Sequence, residues 1–144
     1  GEIYETPSTR FVADFIGNVN LMDGTLTTDE PDHVVVTSAD CQHYVGHGIT
    51  GSLGMSVTVA LRPEKIHLSH HAPTGEGAEF NTAHGTIKEI AYFGSFTVFH
   101  VQLPSGFLLK VSMANTQRHR DEEYTWGDTV WAHWSRSAHV VLTQ

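Results

Sequence analysis

The chain has 144 residues with a single cysteine, Cys41, and its 16 acidic and 8 basic side chains give a formal net charge of -8 at pH 7 with histidine neutral. This length suits one domain or two small ones with a proper hydrophobic core, and one cysteine excludes both an internal disulfide framework and a zinc cluster built on cysteines. The acidic balance argues against nonspecific attraction to nucleic acid phosphates, and without an apolar run of about 18 residues we expect no membrane-spanning helix.

The first predicted element is a short amphipathic helix near the start of the chain. Thr6 or Ser8 is placed to cap it, Pro7 suits its first turn, and Gly17 ends it. A helix of about ten residues is marginal alone, since isolated helices need roughly 12–15. Its apolar face must therefore dock on this domain or on another one, and that face is formed by Phe11, Val12, Phe15 and Ile16.

Short antiparallel strands are predicted in the next part of the chain, at Leu21–Leu26, His33–Thr37, Gln42–Gly46 and Met55–Leu61. Turn residues at Asp23-Gly24, at Pro31-Asp32 and in the loop 48–54 separate them. Pro63 then breaks the pattern because it has no N–H to donate. After further apolar residues at Ile66 and Leu68, the polar loop 69–81 is either a seam between two small β units or a long surface connection.

A hairpin over residues 84–114 is the central predicted element. In residues 107–113, every second residue is a large apolar one, namely Phe107, Leu109, Val111 and Met113. The turn 103–106, Leu-Pro-Ser-Gly, directs this strand back antiparallel to residues 96–103. Two more strands, Thr129–Trp134 and Ala138–Leu142, close the chain. We find no internal sequence repeat.

The arm before this turn does not keep one phase, because Ile87, Ala91 and Phe93 fall on odd positions while Ile90 and Tyr92 fall on even ones. We expect a kink or bulge at Gly85 or Gly94 to absorb the change, as in a strand that curls around a small β-barrel. The alternative is two strands separated by a loop at Gly94-Ser95. Either way the sequence predicts a mainly β fold.

The sequence carries no recognisable catalytic motif. It lacks the phosphate-binding G-x-x-x-x-G-K-[ST] pattern and the G-x-S-x-G elbow, and Cys41 lies in a polar stretch where a structural role is favoured. The eleven histidines include three close pairs, but no spacing predicts that three or four ligands converge on a metal. The three histidine pairs are His43/His47, His70/His71 and His133/His139. We therefore predict no catalytic, cofactor-binding or metal-binding residue.

Two charged pairs are candidates for weaker roles. Arg62 and Glu64 flank Pro63, where they hold the loop by a salt bridge or contact a partner chain. Arg118 and Arg120 are candidate ligands for an oxyanion, although the following acidic residues favour a solvated loop.

Several segments together resemble a known family. Residues 3–20, Ile-Tyr-Glu-x-Pro-x-x-Arg-Phe-Val-Ala-Asp-Phe-Ile-Gly-x-x-Asn, resemble the segment that leaves the nucleotide-binding domain in ATPase subunits of ABC importers. Residues 60–66, Ala-Leu-Arg-Pro-Glu-Lys-Ile, resemble the Arg-Pro-Glu motif of their C-terminal transport-associated OB (TOBE) domain. The rest of that domain is similar to Gly-x-Ile-x-Glu-Ile-x-Tyr-x-Gly-Ser at 85–95, Trp-Gly-Asp at 126–128 and Val-Val-Leu at 140–142.

The resemblance is greatest to the polyamine branch, the spermidine or putrescine import ATPases. It implies one or two OB-like antiparallel β-barrels over residues 18–144, with residues 1–17 as the end of a linker from a nucleotide-binding domain missing from an excised fragment. It also implies a regulatory and dimerising role without catalysis. ATP and Mg²⁺ belong to the missing domain, so we expect no cofactor in this fragment.

The implied partners are a second copy of the chain, the upstream nucleotide-binding domain and, through the parent chain, the transmembrane permease subunits of a bacterial importer. The chain would then lie in the cytoplasm at the inner face of the membrane, without inserting into it and without binding nucleic acid.

Two other functions remain open. A small-ligand sensor would bind a transported solute or an oxyanion between the β units, and the acidic balance favours a polyamine. An oligonucleotide-binding OB-fold needs exposed aromatic residues among basic ones. It is disfavoured because we assign the aromatic residues of the central hairpin to the core, namely Tyr92, Phe93, Phe96 and Phe99.

Overall fold

The computed structural model describes residues 19–49, 51–75, 77–78, 80–115 and 124–142. In these ranges the chain forms antiparallel strands and one 3-10 turn, at Pro63–Lys65. The strands are β1 (Asn20–Asp29), β2 (Val34–Ser38), β3 (Gln42–Val45), β4 (Ser56–Leu61), β5 (His67–Ser69), β6 (Thr82–Tyr92), β7 (Phe96–Gln102), β8 (Leu108–Ala114), β9 (Thr129–His133) and β10 (His139–Leu142).

The predicted fold class, mainly β with small OB-like antiparallel units, is confirmed. The turn before β8 forms as expected, because the Gly106 N–H donates to the Leu103 carbonyl oxygen at 2.9 Å and Gly106 takes a φ of 97°. One predicted turn is wrong, since Gly24 lies inside β1, which continues to Asp29. The predicted N-terminal helix lies outside the described residues, and no helix within them is long and apolar enough to cross a membrane.

The strands form two five-stranded sheets with the same topology. The first has the order β10-β4-β1-β2-β3 and the second the order β5-β9-β6-β7-β8. Each sheet therefore takes its outermost strand, β10 or β5, from the other half of the chain. Because these two strands are exchanged, neither half can leave the other without breaking strand pairs.

The chain passes from the first sheet to the second between β4 and β5, and it returns between β9 and β10. The segment 69–81, which the sequence suggested as a seam, joins β5 to β6 within one sheet. The division into domains stays a prediction, but the two sheets are not separated at that loop.

A bulge interrupts the long first strand of each half. The register shifts at Thr27 in β1 and at Lys88 in β6. The predicted phase change is thus present, but the extra residue is Lys88 rather than Gly85 or Gly94. Gly94 has a φ of 81° in the turn between β6 and β7, so the alternative of two strands with a loop is also realised.

The main hydrophobic core contains residues of both sheets. Most of its residues come from β6 to β9, but Met22 of β1 and Leu61 of β4 also belong to it. A second apolar cluster packs inside the first sheet around Leu26 and Val59. The main cluster therefore includes residues of both sheets, while the first sheet also keeps an apolar cluster of its own, and the polar groups buried beside them are candidates for a functional role.

Candidate functional site

Two asparagines, Asn20 and Asn81, occupy matching places in the two halves. Each begins the pattern Asn-x-x-x-Gly-Thr-Leu/Ile, which runs into the bulged strand β1 or β6. The glycines, Gly24 and Gly85, lie where a Cβ would strike the backbone carbonyl oxygen of the neighbouring strand. The repeat is not apparent in the sequence because only these few positions are alike.

The side chain of Asn20 bridges the two sheets. Its Nδ2 donates to the Leu61 carbonyl oxygen at 3.2 Å and to that of Lys110 at 2.9 Å. Its Oδ1 accepts from the Lys110 backbone N–H at 2.8 Å. Lys110 lies in β8, the edge strand of the second sheet, so the amide replaces the backbone of a missing neighbouring strand.

Asn81 makes the reciprocal connection. Its Oδ1 accepts from the Tyr44 N–H at 2.8 Å and its Nδ2 donates to the Tyr44 carbonyl oxygen at 3.1 Å, in the edge strand β3 of the first sheet. Its own backbone pairs with Gln42 and Trp134. Asn81 has a φ of 59°, a left-handed conformation that asparagine tolerates better than most residues. Each half therefore holds the edge strand of the other.

A group of five residues, here called the histidine cluster, lies where the β2–β3 turn meets β9 and β10. Its members are the partly buried Ser38 and Cys41 and the buried His43, Trp134 and His139. Nε2 of His43 is 3.2 Å from Ser38 Oγ and 3.4 Å from Cys41 Sγ. The rings of His43 and His139 meet edge-on with 5.4 Å between centroids. The indole N–H of Trp134 donates to His139 Nε2 at 2.6 Å.

Burial keeps the histidine cluster uncharged at neutral pH. It lowers the pKa of His43 to about 3 and that of His139 to about 4, because each imidazolium would lose its hydration. It raises the pKa of the Cys41 thiol to about 11. A thiol that stays protonated is a poor nucleophile, so this arrangement does not support Cys/His catalysis.

In the other half of the fold, the equivalent positions are occupied by aliphatic residues. In the matching strand registers His43 corresponds to Leu109 and Trp134 to Leu61. Both leucines are fully buried. The fold therefore does not require imidazole or indole here, and the histidine cluster is a property of this chain rather than of the topology.

The histidine pairs singled out in the sequence do not converge. His43 is buried whereas His47 is exposed, and His133 stacks on His67 while His139 belongs to the histidine cluster. In the described part of the chain, no group of three or more His, Cys, Asp or Glu side chains is arranged to hold a metal ion.

The remaining predicted residues lie at the surface or outside the described ranges. His70 stacks on Tyr124 at 4.5 Å and His71 is exposed. Arg62 and Glu64 are exposed at the 3-10 turn, which is closed by backbone hydrogen bonds. Both predicted roles of this pair, a salt bridge that holds the loop or contact with a partner chain, stay predictions.

The predicted oxyanion contact of Arg118 and Arg120 also stays a prediction, because both residues lie outside the described ranges.

The aromatic residues of the central hairpin are not all in the core. Phe99 is buried, but Tyr92, Phe93 and Phe96 are 70%, 58% and 38% exposed. The last two stack at 5.0 Å, and the Asn115 side chain ties the loop between their strands through hydrogen bonds. We call these three exposed residues the aromatic tip. Assigning them to the core was wrong because apolar character marks burial only where another layer covers the side chain.

An open cleft of about 530 Å³ lies on the first half of the chain. Its lining includes two acidic residues and consists of Asp29, Glu30, Pro31, Gly48 and Ile49.

Comparison with known proteins identifies a family and several longer relatives. The profile of the TOBE domain family matches residues 59–142. The chain is 41% identical over 144 residues to the "Putrescine transport ATP-binding protein PotG" of Escherichia coli (strain K12), covering 99% of this chain and 37% of that protein. It is 34% identical over 146 residues to the "Spermidine/putrescine import ATP-binding protein PotA" of Trichormus variabilis, again covering 99% of the chain and 37% of the relative.

A solved structure shares the fold at low sequence identity. The molybdate-bound, PEG-grown form of the cytoplasmic molybdate-binding protein ModG superposes with a TM-score of 0.76 at 13% identity. The match covers 87% of this chain and 96% of the ModG chain, so nearly all of that protein consists of this double-sheet arrangement.

Proposed function

The chain belongs to the TOBE domain family, and from that premise we propose that it is the C-terminal regulatory and dimerisation domain of the ATP-binding subunit of a polyamine importer. The observation that carries the proposal is the similarity of almost the whole chain to ATP-binding proteins named for putrescine and spermidine import. The chain spans 37% of their length. As part of the proposal, we place ATP hydrolysis in the parent protein, outside residues 1–144.

The geometry suits a domain that transmits contacts and does no chemistry. Two exchanged strands and two asparagine bridges join the halves into one body. The aromatic tip offers exposed apolar area on a loop tied by hydrogen bonds, which is typical of a contact site. We assign this tip, with the exposed pair Arg62 and Glu64, to contacts within the assembled importer.

The proposed partners are a second copy of the chain, the ATP-binding part of the same polypeptide and the permease subunits. These contacts place the domain on the cytoplasmic face of the membrane. Regulation then consists of changing how two ATP-binding parts approach each other.

A deletion in the full-length gene product tests the proposal. Removing residues 19–142 is expected to abolish or weaken dimerisation, measured by light scattering, and to reduce putrescine uptake in cells while ATP binding is retained. Replacing Phe93 with serine tests the aromatic tip. The matched control is Leu53→Ser, because Leu53 is also a large exposed apolar residue. Unchanged dimerisation and uptake in the deletion variant would contradict the proposal.

A second candidate function is a polyamine sensor at the acidic cleft. The observation in its favour is that two acidic residues, Asp29 and Glu30, line an open cleft of about 530 Å³. Calorimetry with putrescine and spermidine is expected to show binding that Glu30→Gln weakens and Glu64→Gln leaves unchanged. Heat from molybdate or sulfate alone, or from none of these compounds, would argue against it.

A further inference from the structure

The outer face of the second sheet carries two histidines that lie far apart in the chain and close together in the fold. Strand register sets His67 of β5 directly opposite His133 of β9. Their imidazole rings stack with 5.4 Å between centroids and an angle of 28° between their planes. The exchange of β5 into this sheet brings the two rings together, so no spacing in the sequence could have paired them.

Both side chains point away from the main hydrophobic core. Leu68 and Ala132, the neighbours of the two histidines along their strands, belong to that core. Because successive side chains of a strand alternate between faces, His67 and His133 lie on the other face. His67 is exposed and His133 is partly buried, so the pair is accessible to a small ion from solvent.

The equivalent positions of the first sheet show that the fold does not require imidazole here. In the matching register Val140 corresponds to His67 and Ala60 corresponds to His133. Two aliphatic residues therefore suffice for the same pair of strands. The two histidines are a property of this chain and are not dictated by the strand pairing.

The chemical state of His133 suits a ligand. Its Nδ1 is buried and has no hydrogen-bond partner in the part of the chain that the structure describes, which is unfavourable for a polar atom. Partial burial, and then the neighbouring His67, lower the pKa of His133. Its imidazole is therefore neutral at pH 7, and the neutral form is the one that binds metal ions.

We propose that His67 and His133 together chelate one divalent ion of a late first-row transition metal, with Cu²⁺ bound more tightly than Ni²⁺. Imidazole nitrogens bind such ions at about 2.0–2.1 Å, and two imidazoles that share an ion have ring centroids roughly 5–6 Å apart. The distance between the two rings lies in this range.

The pair supplies two ligands, and water supplies the others. Among the described residues no third His, Cys, Asp or Glu side chain is placed to complete a group of three. Sites with nitrogen and water oxygen ligands in a tetragonal arrangement are typical of Cu²⁺ and Ni²⁺, whereas a structural zinc site needs four protein ligands. This ligand set therefore favours Cu²⁺ and Ni²⁺ over Zn²⁺.

A bound ion would tie the shortest strand of the second sheet to its neighbour. β5 is three residues long and lies at the edge of the sheet, where it pairs with β9. Coordination by one residue from each strand adds a connection besides their backbone hydrogen bonds, so the ion stabilises the folded chain. The site goes beyond the proposed function and does not depend on it.

Calorimetric titration of the chain with Ni²⁺ and with Cu²⁺ at pH 7 tests the proposal. We expect one ion per chain, and His67→Ala or His133→Ala should weaken binding at least about tenfold, because one imidazole alone is no chelate. His84→Ala is the matched control, since His84 is exposed one row away on the same face. Binding that is unchanged in both His67→Ala and His133→Ala, or equally weakened in His84→Ala, would overturn the site.

The double variant separates a chelate from two independent histidines. His67→Ala with His133→Ala should bind about as weakly as either single variant, because the first loss already removes the chelate. Losses that multiply in the double variant would overturn the proposal. Light scattering that shows two chains sharing one ion would also overturn it.

Thermal unfolding gives a second readout, after circular dichroism has shown that each variant folds. Saturating Ni²⁺ should raise the unfolding temperature of the wild type and of His84→Ala but not that of His67→Ala, because the ion binds the folded chain, where the strands are paired. His67→Gln takes the place of His67→Ala if the latter does not fold. An equal rise in the His67 variant would contradict the site.

Discussion

The side chains of Asn20 and Asn81 each form hydrogen bonds with both backbone polar groups of one residue in an edge strand. Each offers an amide N–H and a carbonyl oxygen at the spacing of a peptide group, and each pairs with both backbone groups of one residue, Lys110 or Tyr44. Both asparagines are almost fully buried. Their hydrogen bonds are therefore sheltered from water, and a residue without the amide would leave two backbone groups unpaired.

Replacing Asn81 or Asn20 by alanine is expected to lower the free energy of unfolding by about 2–4 kcal/mol, since an unsatisfied buried group costs roughly 1–3 kcal/mol. Urea unfolding at pH 7 measures the change. Asn115→Ala, which also removes two side-chain hydrogen bonds but at an exposed position, serves as the control and should cost less. Equal losses at all three positions would contradict the role of the buried bridges.

The Cys41 thiol is expected to react slowly with iodoacetamide in the folded chain at pH 8, because its pKa of about 11 leaves little thiolate. Unfolding in urea should return the reaction to the rate of a free thiol. Mass spectrometry follows the alkylated fraction with time. Equal rates in the folded and unfolded chain would show that Cys41 is not held in this environment.

At the scale of elements, the bulged strands β1 and β6 fit their neighbours through a glycine. A Cβ on Gly85 would overlap the Gln102 carbonyl oxygen of β7, and a Cβ on Gly24 would lie 2.8 Å from that of Thr37. The bulges at Thr27 and Lys88 follow three residues later. The extra residue reverses which side chains of the strand point to a given face of the sheet. The glycine and the bulge together allow each long strand to pair with two neighbouring strands, β1 with β4 and β2, and β6 with β9 and β7.

Gly85→Ala is expected to destabilise the chain by about 1–3 kcal/mol, because backbone in a paired strand cannot move aside as a side chain can. Gly46→Ala is the matched control, since the Cβ there would meet only the flexible Arg136 side chain at 3.1 Å. Thermal unfolding of both variants compares them. A Gly46→Ala loss as large as that of Gly85→Ala would count against the steric explanation.

At the scale of the whole molecule, the exchange of β5 and β10 makes the two halves one folding unit, and the histidine cluster lies inside their junction. Both cluster histidines have a pKa in the folded chain that lies below the value of about 6.5 expected in the unfolded chain. The unfolded chain therefore takes up protons first as the pH falls. Stability is complete above pH 6.5 and decreases from there towards pH 4.

The free energy of unfolding should thus fall with a slope of up to about 1.4 kcal/mol per pH unit for each cluster histidine between pH 6 and 4.5. His43→Leu, which copies Leu109 of the other half, should reduce this slope and keep Ser38 satisfied by its bond to the Cys41 carbonyl oxygen. Urea unfolding at several pH values measures it, with His71→Gln at an exposed position as the control. An unchanged slope in His43→Leu would contradict the assignment.

Local patterns in the sequence were enough to place the strands, the turn at Gly106 and the mainly β class, because alternation and turn residues depend on neighbours along the chain. Family motifs, such as the Arg-Pro-Glu at residues 62–64, carried the resemblance that the TOBE match confirms. The predicted phase change in β6 was also correct, although the bulge occurs at Lys88.

Only the tertiary structure decided which strand joins which sheet, that His43 is buried while Phe93 is exposed, and that Asn20 and Asn81 pair with edge strands of opposite halves. These features depend on contacts between residues far apart in the chain. Alternation along a strand shows which side chains share a face of the sheet, but it does not show what packs against that face. The sequence by itself therefore determined the elements and the family, and the packing of two sheets with exchanged strands determined the interior.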